Sequence, residues 1–295
     1  MVYKSGKNEA GTGKGDNAMN TKNLLQKMIL TGLLSISSLV FAASESLYPL
    51  DEMAPDLNNK ASLQRGMAVY MNYCMGCHSL QYQRYKLTAE HLEIPEEMML
   101  EHLIFDPEKR IGDLMTNSMK GSDAKNWFGV IPPDLTLQTR LRGGPEWLYT
   151  YMRTFYVDDS RPFGVNNLVF PNVGMPHVLA DLQGKQEKVC KQIPVLADNG
   201  GDKRNPITGE AITEEKCGEE LIERGYSPLR LVEGSGSLSP EAYDAMIYDL
   251  ANFLYYTGEP MRQERERIGV YVLLFLAFFF VFAWLLHKEY WKDIH

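Results

Sequence analysis

Residues 61–79 of this chain, ASLQRGMAVYMNYCMGCHS, decide how the rest of it can fold. An apolar stripe at three- and four-residue steps predicts a helix over residues 61–77. Its members are Leu63, Met67, Tyr70, Cys74 and Cys77. Because Cys74 and Cys77 are three residues apart, both thiols lie on one side of such a helix, and His78 follows directly. This C-x-x-C-H pattern is typical of c-type haem attachment, with the histidine as an axial iron ligand.

Three other interpretations of the cysteine pair compete with haem attachment. A zinc site would need a second ligand pair, and Cys190 and Cys217 do not form one. A thioredoxin-like redox pair would need a βαβ setting, for which the sequence shows no pattern. The motif could also match by chance, since it specifies only three positions. Export of the chain, inferred below, favours the haem.

The second axial ligand of the iron is less well defined by spacing. The chain has 15 methionines, and methionine is a common core filler. Met175 is the best candidate, because Gly174 and the neighbouring prolines make a rigid backbone around its thioether. Met119, Met152 and His177 are the alternatives. Methionine ligation would favour reduced iron, whereas a second histidine would lower the potential.

The N-terminal region indicates export. Residues 28–42, MILTGLLSISSLVFA, are apolar, follow Lys22 and Lys27, and end in small residues. This pattern predicts a secretory signal peptide cleaved after Ala42, within an N-terminal extension of residues 1–42. An uncleaved anchor is the alternative. Met19 is the expected true start, because it would give the signal a normal length.

A second apolar segment near the C-terminus predicts a membrane span. Residues 268–286 contain no charged side chain, and at about 1.5 Å per residue a helix of this length reaches roughly 28 Å, the thickness of a hydrocarbon core. Arg267 precedes the segment, and Lys288 and Trp291 follow it as interfacial anchors. With the signal peptide, this predicts an exported domain over residues 43–267 and a cytoplasmic tail over residues 287–295.

The exported domain is predicted to be mainly α-helical, with long irregular loops. Ser239 and Pro240 open a helix whose apolar spacing continues to Gly258, and residues 146–155 form another helical pattern. Several Pro dipeptides interrupt the middle of the chain, and no alternating pattern suggests a large sheet. The formal charge of −8 argues against nucleic acid as a partner. It fits a basic protein partner, or simply solubility.

Several motifs together resemble the cytochrome c1 family, the haem subunits of ubiquinol–cytochrome c reductases. The resemblance covers the chain from about Leu47 to the C-terminus. It rests on residues 70–85 around the haem motif, on IPPDLT at 131–136, on RLRGG at 140–144, on GMPH at 174–177 and on the single C-terminal span. Together these motifs are far more specific than the haem motif alone.

The resemblance implies one covalent haem c on Cys74 and Cys77, with His78 and Met175 as axial ligands. It also implies that Pro133 packs beside the haem, and that an arginine meets a haem propionate. Arg142 is the preferred arginine, and Arg140 is the alternative. A solvated arginine pair beside a glycine turn is the ordinary alternative to both.

The resemblance further implies a one-electron carrier that passes electrons from a Rieske iron–sulfur protein to cytochrome c. The implied partners are cytochrome b, the Rieske protein and a cytochrome c acceptor, within a dimeric complex. The chain would be an electron-transfer subunit of an oxidoreductase, with no substrate-transforming residues of its own. The implied location is a bacterial inner membrane, with the haem domain on the periplasmic side. A haem c subunit of a terminal oxidase and a membrane-anchored haem sensor are the alternatives.

The remaining two cysteines predict a disulfide. Cys190 and Cys217 enclose a charged, glycine-rich segment beyond Met175. In an oxidising compartment two such thiols pair with each other, which would close a segment that is otherwise unconstrained. This pairing follows from export and from the cysteine count, not from the family resemblance.

Overall fold

The computed structural model describes residues 48–197 and 200–292. The predicted signal peptide at residues 1–42 and the last three residues of the predicted tail lie outside this range. The mainly helical fold with long loops is confirmed for the described residues. The strands among them form two-stranded antiparallel sheets only.

Helix α1 spans Lys60–Val69 and carries the predicted apolar stripe. It begins at Asn59, whose side chain accepts a hydrogen bond from the Ser62 amide at 3.1 Å. The α-helix does not continue to Cys77 as the periodicity predicts. Residues Tyr70–Cys74 form a π-helical turn instead, closed by the Met75 amide on the Tyr70 carbonyl at 2.9 Å.

The Tyr70 hydroxyl explains where the helix ends. It donates to the carbonyl of His78 at 2.6 Å, which folds the chain back immediately after the cysteine motif. The amide of His78 donates to the Cys74 carbonyl at 2.9 Å. The Tyr70 bond ties the chain after the cysteine motif back onto the end of α1, whereas the His78 amide bond has the spacing of an ordinary α-helical turn.

Short helices and strands connect α1 to the C-terminal helices. The short helices are α2 (Tyr85–Leu92), α3 (Glu96–His102), α4 (Gly121–Phe128), α5 (Gln138–Leu141), α6 (Pro145–Arg153), α7 (Ala180–Gln183) and α8 (Glu219–Glu223). The paired strands are β1 (Leu80–Arg84) with β2 (Leu114–Met115), β3 (Phe155–Val157) with β4 (Val165–Asn167), β5 (Gln186–Lys188) with β8 (Leu229–Leu231), and β6 (Lys191–Pro194) with β7 (Thr213–Lys216).

Helix α9, Pro240–Gly258, lies at the centre of the domain and contacts α1, α5, α6 and α7. Its predicted start is confirmed, since the Ser239 hydroxyl accepts from the Ala242 amide at 3.2 Å and Pro240 is the first helical residue. Its predicted apolar face is buried: Tyr243, Ile247, Leu250, Phe253 and Leu254. Burial of this face supplies most of the driving force that assembles the helices.

Helices α1 and α9 cross at Gly66. A methyl group at this position would lie 2.0 Å from the Asp249 carbonyl oxygen, so only glycine allows the two backbones to approach this closely. The Asp249 carboxylate, which is buried, accepts from the Ser62 hydroxyl at 2.6 Å and from the Arg65 guanidinium at 2.6 Å. The contact therefore sets both the distance and the rotation of α1 on α9.

The predicted span lies within helix α10, Arg262–Tyr290. The helix is long and apolar enough to cross a membrane, and none of its residues is buried in the protein. A helix that exposes aromatic and aliphatic side chains on every face is suited to lipid. At its start Arg262 pairs with Glu266, and Arg267 pairs with Glu264.

The segment between β5 and β8 forms a side structure joined to the domain at one neck. Cys190 lies between β5 and β6 and forms a disulfide with Cys217, which directly follows β7. At the neck, a Cβ on Gly236 would lie 2.6 Å from the Gln183 carbonyl oxygen. The chain therefore leaves the domain and returns to it at almost the same point.

Replacing Gly66 by alanine should destabilise the domain. The clash with the Asp249 carbonyl should cost about 1–3 kcal/mol, more than the roughly 1 kcal/mol that alanine contributes through helix propensity. Thermal unfolding of the detergent-solubilised protein measures the difference. Gly112→Ala is the matched control, because a Cβ there meets no atom within 4 Å. Equal melting temperatures for both variants would contradict the close crossing.

The disulfide can be tested by intact mass after alkylation. Without reductant, neither Cys190 nor Cys217 should be alkylated, and after reduction both should be. Alkylation of both residues in the unreduced, exported protein would contradict the pairing.

Candidate haem-binding site

The two cysteines of the motif are free thiols close to the core. Cys74 is buried at the end of the π-helical turn, and Cys77 is half-buried. Burial, together with the neighbouring Cys77, raises the pKa of Cys74 to about 12, and burial also raises the pKa of Cys77. A redox pair of the thioredoxin type belongs to a βαβ setting, and the strands of the described residues pair only in antiparallel, two-stranded sheets.

His78 is held in one orientation by the backbone of a distant loop. Its ring Nδ1 lies 2.7 Å from the carbonyl oxygen of Pro133. Because a carbonyl can only accept, Nδ1 carries the hydrogen, and Nε2 is left with a free lone pair. Burial lowers the pKa of His78, with smaller opposing effects from Pro133 and Asp134. The neutral imidazole with a free Nε2 is the form that ligates iron.

The loop of residues 131–136 is attached to the segment that follows the motif. The Asp134 carboxylate accepts from the amides of Gln81 at 2.8 Å and Thr136 at 2.9 Å. The Leu135 amide donates to the Ser79 carbonyl at 3.0 Å. The acidic side chain therefore works as a backbone cap, which fixes the Pro133 carbonyl opposite His78.

Met175 is half-buried, and its thioether contacts helix α6. The Tyr151 hydroxyl donates to the Met175 sulfur at 3.4 Å. Burial raises the pKa of Tyr151 well above its usual value, with a smaller opposing effect from Arg142, so the hydroxyl keeps its proton. Sequence reasoning missed Tyr151. The only signal was its spacing from Trp147, on which its ring stacks at 4.8 Å.

The structure places the alternative iron ligands differently from Met175. Met152 is only 3% exposed and belongs to the core. His177 stacks on Phe155, and its Nε2 lies 2.7 Å from the Gln183 side-chain oxygen. Burial lowers the pKa of His177 to about 4. Met119 lines a cavity beside Cys77 and is the alternative that stays nearest to the motif.

This cavity has a volume of about 230 Å³ and mixed walls. Its lining includes Met119, Ile131 and Pro132, and the thiol-bearing residue Cys77. Asn117 also lines it, and its side-chain nitrogen is buried without a hydrogen-bond partner among the described residues. Of the residues proposed to hold the haem, Cys77 lines this cavity, and His78 and Met175 do not. The fit to a haem therefore rests on the spacing of the two cysteines and on the pinned imidazole of His78, whose free Nε2 suits an iron ligand.

The structure gives the two candidate arginines different surroundings. Arg140 forms an ion pair with Glu259, at the junction of α9 and α10. Arg142 has no ion-pair partner among the described residues, and its guanidinium lies 5.4 Å from the Trp147 ring centroid and 5.2 Å from that of Phe170. Arg142 therefore rests on aromatic rings without a carboxylate partner and is available for an anionic ligand. The charge of Arg140 is already neutralised by Glu259.

The C-x-x-C-H cysteine pair, the pinned histidine and the exposed apolar helix define a class, the membrane-anchored c-type cytochromes. Residues 54–187 and 236–294 match the Cytochrome C1 family, and the chain belongs to that family. The predicted resemblance is thereby confirmed. The match omits residues 188–235, which include the disulfide-closed segment.

Individual relatives agree with the family match. The chain is 49% identical over 271 residues to cytochrome c1 of Allochromatium vinosum, which covers 92% of this chain and 100% of the relative. It is 37% identical to a protein of Nitrosomonas europaea named ammonia monooxygenase gamma subunit, over 91% of this chain and 100% of the relative. It is 24% identical to the mitochondrial cytochrome c1 heme protein of Kluyveromyces lactis, over 79% of this chain and 71% of the relative.

Proposed function

We propose that this chain binds one haem c covalently through Cys74 and Cys77, with His78 Nε2 and the Met175 sulfur as axial ligands. The hydrogen bond from His78 Nδ1 to the Pro133 carbonyl is the observation that carries this proposal, because it leaves only Nε2 for a metal. The tyrosine-supported thioether of Met175 supplies the second ligand. A bound c-type haem supplies reversible one-electron oxidation and reduction.

As a member of the cytochrome c1 family, the chain is an electron-carrying haem subunit of the respiratory chain. Its own residues bind the cofactor, orient its ligands and keep water away from them. Arg142 is proposed to pair with a haem propionate, and Pro133 to hold the proximal histidine. We propose that the electron comes from a Rieske iron–sulfur protein and leaves to a cytochrome c, with cytochrome b as the membrane partner in a dimeric complex.

The anchoring helix supports a proposed topology. Residues 43–267 form the exported haem domain, residues 268–286 cross the membrane, and residues 287–295 lie in the cytoplasm. In a bacterium this places the haem domain on the periplasmic side of the inner membrane. The fully exposed apolar helix supports the membrane span, and the orientation rests on the predicted signal peptide.

The ligand assignment is tested by Met175→Leu. Loss of a thioether ligand should abolish the far-red sulfur-to-iron charge-transfer band of the oxidised protein and lower the midpoint potential, since methionine ligation favours reduced iron. Met119→Leu is the matched control and should leave both properties unchanged. If Met119→Leu abolishes the band while Met175→Leu keeps it, the assignment is wrong.

The proposed role is tested by purifying the chain in mild detergent and identifying what accompanies it. Cytochrome b and an iron–sulfur protein are the expected partners. Oxidase haems would instead show a terminal-oxidase subunit, and monooxygenase subunits would give this chain the role named for its Nitrosomonas relative. A haem chain that purifies alone with five-coordinate iron would be a sensor. Each of these three results contradicts the proposal.

A further inference from the structure

The loop that carries Met175 is shaped by side chains rather than by regular secondary structure. We call residues 168–177 the methionine loop. Two buried asparagines at the end of β4 bind its backbone. The Asn167 side-chain oxygen accepts from the amides of Val169 at 2.9 Å and Phe170 at 3.1 Å. The Asn166 side-chain oxygen accepts from the Asn172 amide at 2.8 Å.

A single arginine binds the other side of the same loop. Arg161, in the turn between β3 and β4, donates from Nη2 to the carbonyls of Asn172 at 2.8 Å and Val173 at 3.4 Å. Its Nη1 lies 3.3 Å from the Asn172 side-chain oxygen. These three contacts reach the residues immediately before Gly174 and Met175. Asn172 has a left-handed backbone with φ 62°, so the loop is sharply bent where the arginine binds it.

The guanidinium of Arg161 is committed to this loop. It forms no ion pair with a carboxylate among the described residues, and its Nε is buried without a hydrogen-bond partner there. A positive charge bound to backbone carbonyls makes stronger hydrogen bonds than a neutral donor does. The contacts therefore add to the packing of Val169 and Val173, which are buried in the core, in holding the loop.

Both ends of this network meet at Tyr151. The Asn167 side-chain nitrogen donates to the Tyr151 carbonyl at 2.7 Å, and the Tyr151 hydroxyl donates to the Met175 sulfur. Helix α6 therefore anchors the start of the methionine loop through its backbone and the end of the loop through a side chain. Arg161 closes the middle of the loop between these two anchors.

We propose that Arg161 is a positioning residue for the sixth ligand, which it serves by keeping the methionine loop closed. This inference rests on the proposed role of Met175. A ligand on a loop that opens is available only for the fraction of time that the loop is closed, so an external ligand competes better when that fraction falls. Arg161 thus controls how readily the iron exchanges Met175 for another ligand.

The test compares Arg161→Gln with the wild-type haem protein by imidazole titration of the oxidised form. Removing hydrogen bonds from a charged donor should raise the apparent imidazole affinity roughly ten-fold, because the open loop becomes more populated. The charge-transfer band should weaken. Arg230→Gln is the matched control, since Arg230 is an exposed arginine on β8 that pairs with Glu187 on β5. It should leave both properties unchanged.

A double-variant experiment separates positioning from a general loss of stability. In Met175→Leu the sixth ligand is absent, so adding Arg161→Gln should not raise the imidazole affinity further. An equal additional effect in that background would show a structural role and overturn the proposal. If Arg161→Gln does not fold, Arg161→Lys and Asn172→Gly each remove part of the contact, and Asn172→Gly keeps the left-handed backbone.

The outcomes also distinguish this inference from the ligand assignment itself. A wild-type protein without the charge-transfer band, or one in which Met175→Leu keeps it, would refute the Met175 assignment. A wild-type protein with the band, together with Arg161 variants that match it in imidazole affinity, would refute the role of Arg161 alone. A ten-fold increase confined to proteins that retain Met175 is the expected result.

Discussion

The close crossing of α1 and α9 at Gly66 is the contact on which the rest of the domain depends. Glycine lets the helices touch backbone to backbone, and the buried Asp249 carboxylate fixes their rotation by binding Ser62 and Arg65. With α1 held in this way, its π-helical turn buries Cys74. Helix α9 also binds α6 through the Tyr243 hydroxyl on the Met152 carbonyl at 2.8 Å. One helix therefore positions both the thiol pair and the tyrosine that contacts Met175.

His78 and Tyr151, two side chains of the candidate site, are neutral, and each forms a hydrogen bond of defined direction. His78 is held neutral by burial and directed by a carbonyl, while the Tyr151 hydroxyl keeps its proton and donates to a thioether. Such a site excludes water without burying uncompensated charge, which would be costly. Arg142 is the exception, and its aromatic neighbours keep it close to the surface. An anionic cofactor edge would supply the charge that it lacks.

The disulfide-closed segment has a different relation to the site. It leaves and rejoins the domain at the neck of Gly184 and Gly236, and it coincides with the residues that the family match omits. A segment attached at one point can vary in length and sequence without moving the helices that hold the haem motif. This explains how a family member can carry it with the core of the fold unchanged.

The sequence by itself determined the chemistry that depends on local spacing. The thiol pair and histidine lie within five residues, the apolar span is continuous, and Ser239 and Pro240 define a helix start, so each could be identified without tertiary information. The family and its electron-carrier role followed from motifs of the same kind. The sequence preferred Arg142 over Arg140 through the family resemblance alone, and it missed Tyr151 and Arg161. Only the tertiary structure showed what these side chains contact, because their partners lie far away in sequence or on a bent loop. Arg140 pairs with Glu259, and Tyr151 and Arg161 both bind the methionine loop. Long-range contacts of this kind leave no periodic signal in the chain, and neither does the π-helical turn that precedes Cys77 and His78.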